Sequence, residues 1–314
     1  MLRYVINRLL YGVITVFFIA SVTFWGMHLA PGDPITGTKA MSPEIRANIM
    51  KKYGLDKPLL VQYRVYITNM LQGDFGISFT QQNRSVNDII RDHFPVSAML
   101  GLLSLFLATC GGILAGAVAA IFKDRVTDQI LMTLVIIGNA VPAFVFGAIG
   151  QYIVTELNKK AGFTILPSGG WGTFRHMLVP AVFLGVGVMA FLGRLMRSSM
   201  LEVVSLDYIR TAKAKGVSPT GIFFSHQLRN AILPVITVIG IQIAFITTGG
   251  FAIETIFAIP GLGRYFVQAV QQLDYTTIMG LTVFYSGFLV FMVVFVDILY
   301  GFVDPRISVT KGRS

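Results

Sequence analysis

Residues 93–122 read His93-FPVSAMLGLLSLFLATCGGILAGAVAAI-Phe122, thirty positions without one Asp, Glu, Lys or Arg. As a helix rising 1.5 Å per residue, this stretch exceeds the roughly 30 Å hydrocarbon core of a bilayer. Five further charge-free runs flank it: Leu9–Gly32, Gln129–Thr155, His176–Gly193, Asn230–Ile253 and Tyr275–Val296, of 24, 27, 18, 24 and 22 residues. About 20 apolar residues suffice to span. The sequence therefore predicts an all-α integral membrane protein with six transmembrane helices.

Composition agrees. Of 314 residues 54% are apolar and 13% charged, about half the roughly 25% charged share of soluble domains. That excludes a soluble enzyme, a disordered chain and an outer-membrane barrel built from alternating strands of about ten residues. The net charge of +10 comes with no basic-aromatic groove apart from the spans, so it orients the chain in a bilayer and does not mark a nucleic-acid partner. The single cysteine, Cys110, lies inside the second run, which leaves neither a disulfide framework nor metal-ligand spacing.

With six spans both termini share a side. Arg3 and Arg8, Lys123 and Arg125, the basic residues from Arg197 to Arg229, and Arg306, Lys311 and Arg313 fall on it, making it cytoplasmic by the positive-inside rule. The reading divides the chain into an N-terminal transmembrane helix (1–30), an extracytoplasmic cap (31–95) and a five-helix core (96–314). Within the cap, Ser42-Pro43-Glu44 signals a helix start and Gly54 a stop. Leu59, Leu60, Tyr63, Tyr66, Ile67, Met70 and Leu71 form a helical apolar stripe. Gly73 and Gly76 are expected turn points around Asp74.

Inside the membrane, Gly112, Gly116 and Ala120 recur every fourth residue, the spacing that lets helix backbones approach closely. Pro142 is expected to kink the third span. Arg194 closes the fourth span and Asp297 the sixth, and Asp297 is expected to pair with a basic residue on the cytoplasmic side. Without ionisable groups at mid-membrane, an ion-coupled carrier is disfavoured. Polar and small residues on the fifth span, Thr237, Gln242, Thr247 and Thr248, with Asn139 on the third, are expected to face the bundle interior and line a pathway.

No catalytic constellation emerges. His28, His93, His176 and His226 are scattered, with no H-E-x-x-H, and there is no G-x-S-x-G elbow. The chain contains no Gly-Lys pair, so the P-loop is absent. A membrane-embedded enzyme is the weaker alternative class. Uphill transport would draw its energy from a partner protein.

The segment 196–231 between the fourth and fifth spans is the most informative. Asp207 is placed to cap a short helix containing Tyr208, Arg210 and Ala212. Lys213 and Lys215 suit its C-terminal dipole, and Gly216 supplies a left-handed stop. Ser218 and Pro219 then start a second short helix. Ile222, Phe223 and Phe224 in a row ask for a partner protein, the bilayer interface or the body of the bundle.

Tyr208-x-Arg210-Thr211-Ala212-x-x-Lys215-Gly216, followed by His226-x-Leu228-Arg229-Asn230-Ala231-x-x-Pro234, resembles the EAA loop of bacterial ATP-binding-cassette importers in its peptide-branch form. Arg210 and Thr211 replace the more general Glu-Ala. Pro31-Gly32-Asp33-Pro34, Gly73-Asp74-Phe75-Gly76, Glu254-Thr255-Ile256-Phe257 with Pro260-Gly261-Leu262-Gly263, and Asp304-Pro305-Arg306 extend the resemblance to the dipeptide/oligopeptide/nickel permease family over nearly the whole chain. That resemblance implies a multi-pass subunit of the bacterial cytoplasmic membrane. It implies a heterodimer with a second permease, two cytoplasmic ATPases that bind ATP and Mg, and an extracytoplasmic solute-binding protein. The 207–224 loop would carry the coupling helix. Peptides, nickel chelates and glutathione are all carried by members of the family.

Overall fold

A computed structural model describes residues 2–29, 54, 56–81, 84–247 and 250–303. Among these the chain is almost entirely helical, and its sole β feature is an isolated bridge between Ile77 and Ser85. The described residues form twelve helices in order: α1 (Leu2–Leu29), α2 (Leu59–Leu71), α3 (Val86–Ile121), α4 (Val126–Ala140), α5 (Ala143–Ala161), α6 (Phe174–Val204), α7 (Asp207–Ala214), α8 (Pro219–Ala231), α9 (Leu233–Thr247), α10 (Phe251–Ile256), α11 (Leu262–Gln271) and α12 (Tyr275–Val303). Residues 42–53, where the sequence signals the first cap helix, lie outside the described residues.

Four single helices, in α1, α3, α6 and α12, are long and apolar enough to span a membrane, and up to six spans result if two bent pairs count as one each. The expected kink at Pro142 is a break: α4 and α5 meet at 107°. Val141, forced out of the helical region by the proline that follows it, is extended at φ −91°, ψ 129°, and Pro142 extends too, at ψ 139°. Two consecutive extended residues redirect the chain where one missing hydrogen bond would only tilt it. The fifth run is likewise interrupted. Its helix bends by 44° at Ile232, ends at Thr247, and resumes as the separate short helix α10.

The chain forms two compact units, Met1–Ser97 with Pro260–Ser314, and Ala98–Ile259. Within the first unit the C-terminal helix packs on the first. At Gly12 a Cβ would lie 2.6 Å from Val290 Cγ1, so glycine lets α1 and α12 approach. Arg8 pairs with Asp297 at 3.1 Å, as Asp297 was expected to pair.

Within the first unit, α2 turns Tyr63 and Tyr66 toward α1. The Tyr63 hydroxyl lies 2.7 Å from Ser21 Oγ, and Tyr66 stacks on Phe24 at 5.5 Å. Burial, with Tyr63 beside it, raises the Tyr66 phenol above its usual range. Leu59, Leu60 and Leu71 of the expected stripe stay exposed. Gly73 and Gly76 adopt φ +75° and +96°, the left-handed region glycine enters freely, and the Gly76 N–H donates to Asp74 Oδ1. The last ten residues of the expected cap, 86–95, form the start of α3.

One carboxylate organises the remainder of this unit. Asp274, 1% exposed, accepts hydrogen bonds from the hydroxyls of Ser78 and Thr80 and the backbone N–H groups of Phe79, Thr80 and Thr277. A buried charge is tolerated only when its lone pairs are so filled. Here they fasten residues 78–80 to the turn between α11 and α12.

In the second unit α3 lies against α6 along its glycine stripe. A Cβ at Gly112 would sit 2.8 Å from the Met189 carbonyl, and one at Gly116 would strike the Gly193 carbonyl. The expected small-residue face is thus a helix–helix contact. α4 runs antiparallel to α6, with Gly138 beside Val186 and Ala190 at one end and Asp128 bonded to Arg197 at the other.

Candidate functional site

Sequence reasoning started the loop at residue 196, but α6 continues helical to Val204, and the connection begins at Ser205. Arg197 therefore belongs to the helix, as does Arg194, ten residues before its end. Asp207 does not cap α7. Leu206 takes the cap position without a side-chain bond, and Asp207 stands in the first turn 3.6 Å from Arg210. Its charge there suits the helix dipole, while the exposed ion pair adds little.

The other end of α7 follows the sequence closely. Gly216 has φ +78°. Its N–H donates to the Lys213 carbonyl at 3.0 Å, and the Val217 N–H donates to the Ala212 carbonyl at 3.2 Å. This pair of bonds is the Schellman closure, which requires a left-handed residue after the helix. Lys215 is the last residue before that turn. Ser218 Oγ then accepts from the Gly221 N–H at 3.2 Å, and Pro219 occupies the first helical turn, where its missing N–H costs nothing.

The second helix starts at Pro219 as expected, but it runs longer than a short helix. Residues Ile222–Leu228 continue as π-helix, and α8 passes into α9 across the 44° bend. The loop is therefore a short helix, a glycine turn and a helical arm that runs into α9 across the bend.

The arm and α7 are seated in the unit. Ile209, Ala212, Ile222 and Ala231 join Ala117 of α3, Leu192, Met196, Met200 and Val203 of α6, and Val235 of α9 in one core. Ile222 is 4% exposed, Phe223 is half-buried against the same core, and only Phe224, 64% exposed, projects. The Ile222-Phe223-Phe224 run is thus not an exposed patch: successive side chains on a helix point in different directions, and the bundle takes two of the three. Tyr208 ties the two limbs together. Asn230 Nδ2 donates to the Tyr208 hydroxyl at 2.7 Å and to the His226 carbonyl at 3.0 Å. Solvent is left with a continuous ridge from Lys213 to Thr220, flanked by Arg210 and Phe224.

Sequence reading missed the group that anchors this assembly. Asp128, 3% exposed, accepts from Arg197 Nε and Nη2, both at 2.7 Å, and from the Asp124 backbone N–H at 3.0 Å. The planar guanidinium meets both carboxylate oxygens at once, the strong bidentate arrangement. The partners stand 69 positions apart in sequence, beyond any local signal. The pairing of a lone acid beside the third run with the basic end of the fourth was the only available hint.

Of the five expected pathway residues, three have described side chains. Asn139 and Thr237 are exposed on this chain and Gln242 is half-buried, so the first two do not face the interior of their own bundle. Thr237 Oγ1 donates to the Leu233 carbonyl of its own helix. The Thr247 side chain and Thr248 lie outside the described residues. Among the described residues no group of His, Cys, Asp or Glu is placed to hold a metal ion.

Residues 112–309 match the model of the binding-protein-dependent transport system inner membrane component, and residues 1–101 match that of its N-terminal part. The chain belongs to this family. The permease is 42% identical over 313 residues to the dipeptide transport system permease protein DppB of Bacillus subtilis, covering 99% of each chain. It is 40% identical over 309 residues to the oligopeptide transport system permease protein OppB of Haemophilus influenzae, and 37% identical over 309 to that of Escherichia coli, each covering 98% of this chain and 99% of the relative. It is thus a multi-pass membrane subunit of an importer family whose ATPase activity sits in separate subunits.

Proposed function

We propose that this permease forms half of a translocation pathway for peptides, paired with a second, homologous permease in the bacterial cytoplasmic membrane with both termini inside. Full-length relatedness to dipeptide and oligopeptide permeases carries the reading. ATP and Mg are bound and turned over by two partner ATPases, not by this chain. The ridge Lys213–Thr220, with Arg210 and Phe224 beside it, is their docking element. Its glycine turn and π-helical arm support that role, because an arm that runs into α9 converts ATPase closure into helix movement. The cap faces an extracytoplasmic solute-binding protein, and Asn139, Gln242, Thr237, Thr247 and Thr248 face the shared pathway.

Reconstitution in vesicles with the second permease, the ATPases and the binding protein tests this directly. ATP-dependent accumulation of a labelled tripeptide is the expected result. Cysteine placed at 139, 242 or 247, with Cys110 replaced by Ser, should react with a charged thiol reagent at a rate that changes with ATP. Failure of the vesicles to accumulate peptide overturns the cargo assignment. Labelling that is absent in every nucleotide state overturns the pathway assignment.

A further inference from the structure

Between α4 and α6 lies an open cavity of about 410 Å³. Met132, Val135 and Ile136 of α4 form one wall, and Arg194, Arg197 and Ser198 of α6 the other. Its two cations are not equivalent. Arg197 is spoken for, held by Asp128 through two hydrogen bonds. Arg194 is exposed and, among the described residues, pairs with no carboxylate. The cavity thus presents one uncompensated positive charge, directly after an 18-residue charge-free run. A lone guanidinium in a membrane helix is costly, and such groups mark substrate routes when an anion answers them.

The wall opposite says which environment the cavity opens to. Val135 and Asn139 are four residues apart on α4, with Met132 one turn before, and so share a face. Asn139 is exposed and finds no hydrogen-bond partner among the described residues. An exposed amide on α4 or an exposed guanidinium on α6 pressed into acyl chains would be penalised. Facing a water-filled route, neither is.

We propose that Arg194 receives the C-terminal carboxylate of a peptide as it passes between Asn139 and the end of α6, which makes this residue a specificity determinant for cargo with a free carboxyl end. The inference rests on the peptide-import reading above. Guanidinium and carboxylate match in shape and charge, and Ser198 stands one turn away to share the anion. An exposed cation holds its partner weakly, which is what a route must do if cargo is to leave. Side chains of the cargo are not read at this point, so peptides of differing sequence pass equally.

The test uses the complete complex in phosphatidylethanolamine vesicles, with and without phosphatidylglycerol, and two cargoes, trialanine and trialaninamide. Arg194→Gln should slow trialanine uptake about five- to tenfold and leave trialaninamide unchanged, with Arg194→Lys restoring most of the difference. Comparing each variant with wild type for one cargo at a time cancels any preference of the binding protein. A second measurement needs no transport: Ser198→Cys, with Cys110→Ser, should be protected from a thiol reagent by millimolar trialanine but not by trialaninamide, and Arg194→Gln should abolish the protection. An equal effect of Arg194→Gln on both cargoes, or an effect that appears only with phosphatidylglycerol, overturns the proposal in favour of a structural or lipid-binding arginine. Equal protection by both peptides overturns it too. If the wild-type complex carries neither peptide, it is the import reading that fails.

Discussion

Asp128 and Arg197 join the first turn of one membrane helix to the last third of another through two parallel hydrogen bonds of 2.7 Å. The carboxylate is nearly inaccessible and the guanidinium a quarter exposed. Removing one partner leaves the other charged and poorly solvated, the costly way to break such a pair. Asp128→Asn should therefore lower stability by about 2 kcal/mol, read as a fall in the melting temperature of the purified complex. The exchange Asp128→Arg with Arg197→Asp should recover part of the loss. If the single variant melts like wild type, the pair contributes nothing.

Gly216 separates backbone strain from crowding. No atom lies within 4 Å of a Cβ built there, so the cost of a side chain comes from φ +78° alone. Gly216→Val should strain the turn by about 1–2 kcal/mol and lose co-purifying ATPases, whereas Gly216→Asn, which tolerates the left-handed region, should keep most of them. Equal loss for both variants would show that something other than conformation selects glycine.

Ile222 and Phe224 are near neighbours with opposite surroundings, so their alanine variants should behave differently. Ile222→Ala opens a cavity in a well-packed core and should cost about 2–4 kcal/mol. Phe224→Ala should leave the melting temperature within about 1 °C, roughly the scatter of a surface change, yet weaken ATPase binding and ligand-stimulated hydrolysis. Intact coupling in Phe224→Ala would remove that ring from the docking surface.

Asp274 predicts a local unfolding event. Asp274→Ala withdraws the acceptor for five hydrogen bonds from residues 78–80 and 277, which should cost about 3 kcal/mol. Amide exchange at Phe79 and Thr80 should accelerate far more than exchange within α12. Unchanged protection at those two amides would mean the segment is held elsewhere.

Much of this protein is local, and was legible for that reason. Charge-free runs mark spans because a bilayer excludes charge over a fixed thickness, whatever the neighbouring helices do. Gly216, Ser218 and Pro219 act within a few residues of one another, so their turn and cap can be read from the letters alone. Only tertiary structure could decide which side chain of Ile222-Phe223-Phe224 is left for a partner, since that depends on where Ala117, Met196 and Met200 stand. The 107° break at Pro142 likewise exceeds what one proline dictates. It depends on α4 being held along α6 from Gly138 to Asp128, while α5 packs on the N-terminal half of the same helix through Gly150, where a Cβ would strike the Phe183 ring. The Asp128–Arg197 pair lies furthest from the sequence, because an ion pair is selected by distance in space and its partners are 69 residues apart in the chain. Sequence alone thus determined the all-α membrane class, the glycine turn and the family resemblance, all of them short-range or cumulative signals. Packing alone decided which charge is neutralised, which ring is exposed and which arginine is left to meet an anion.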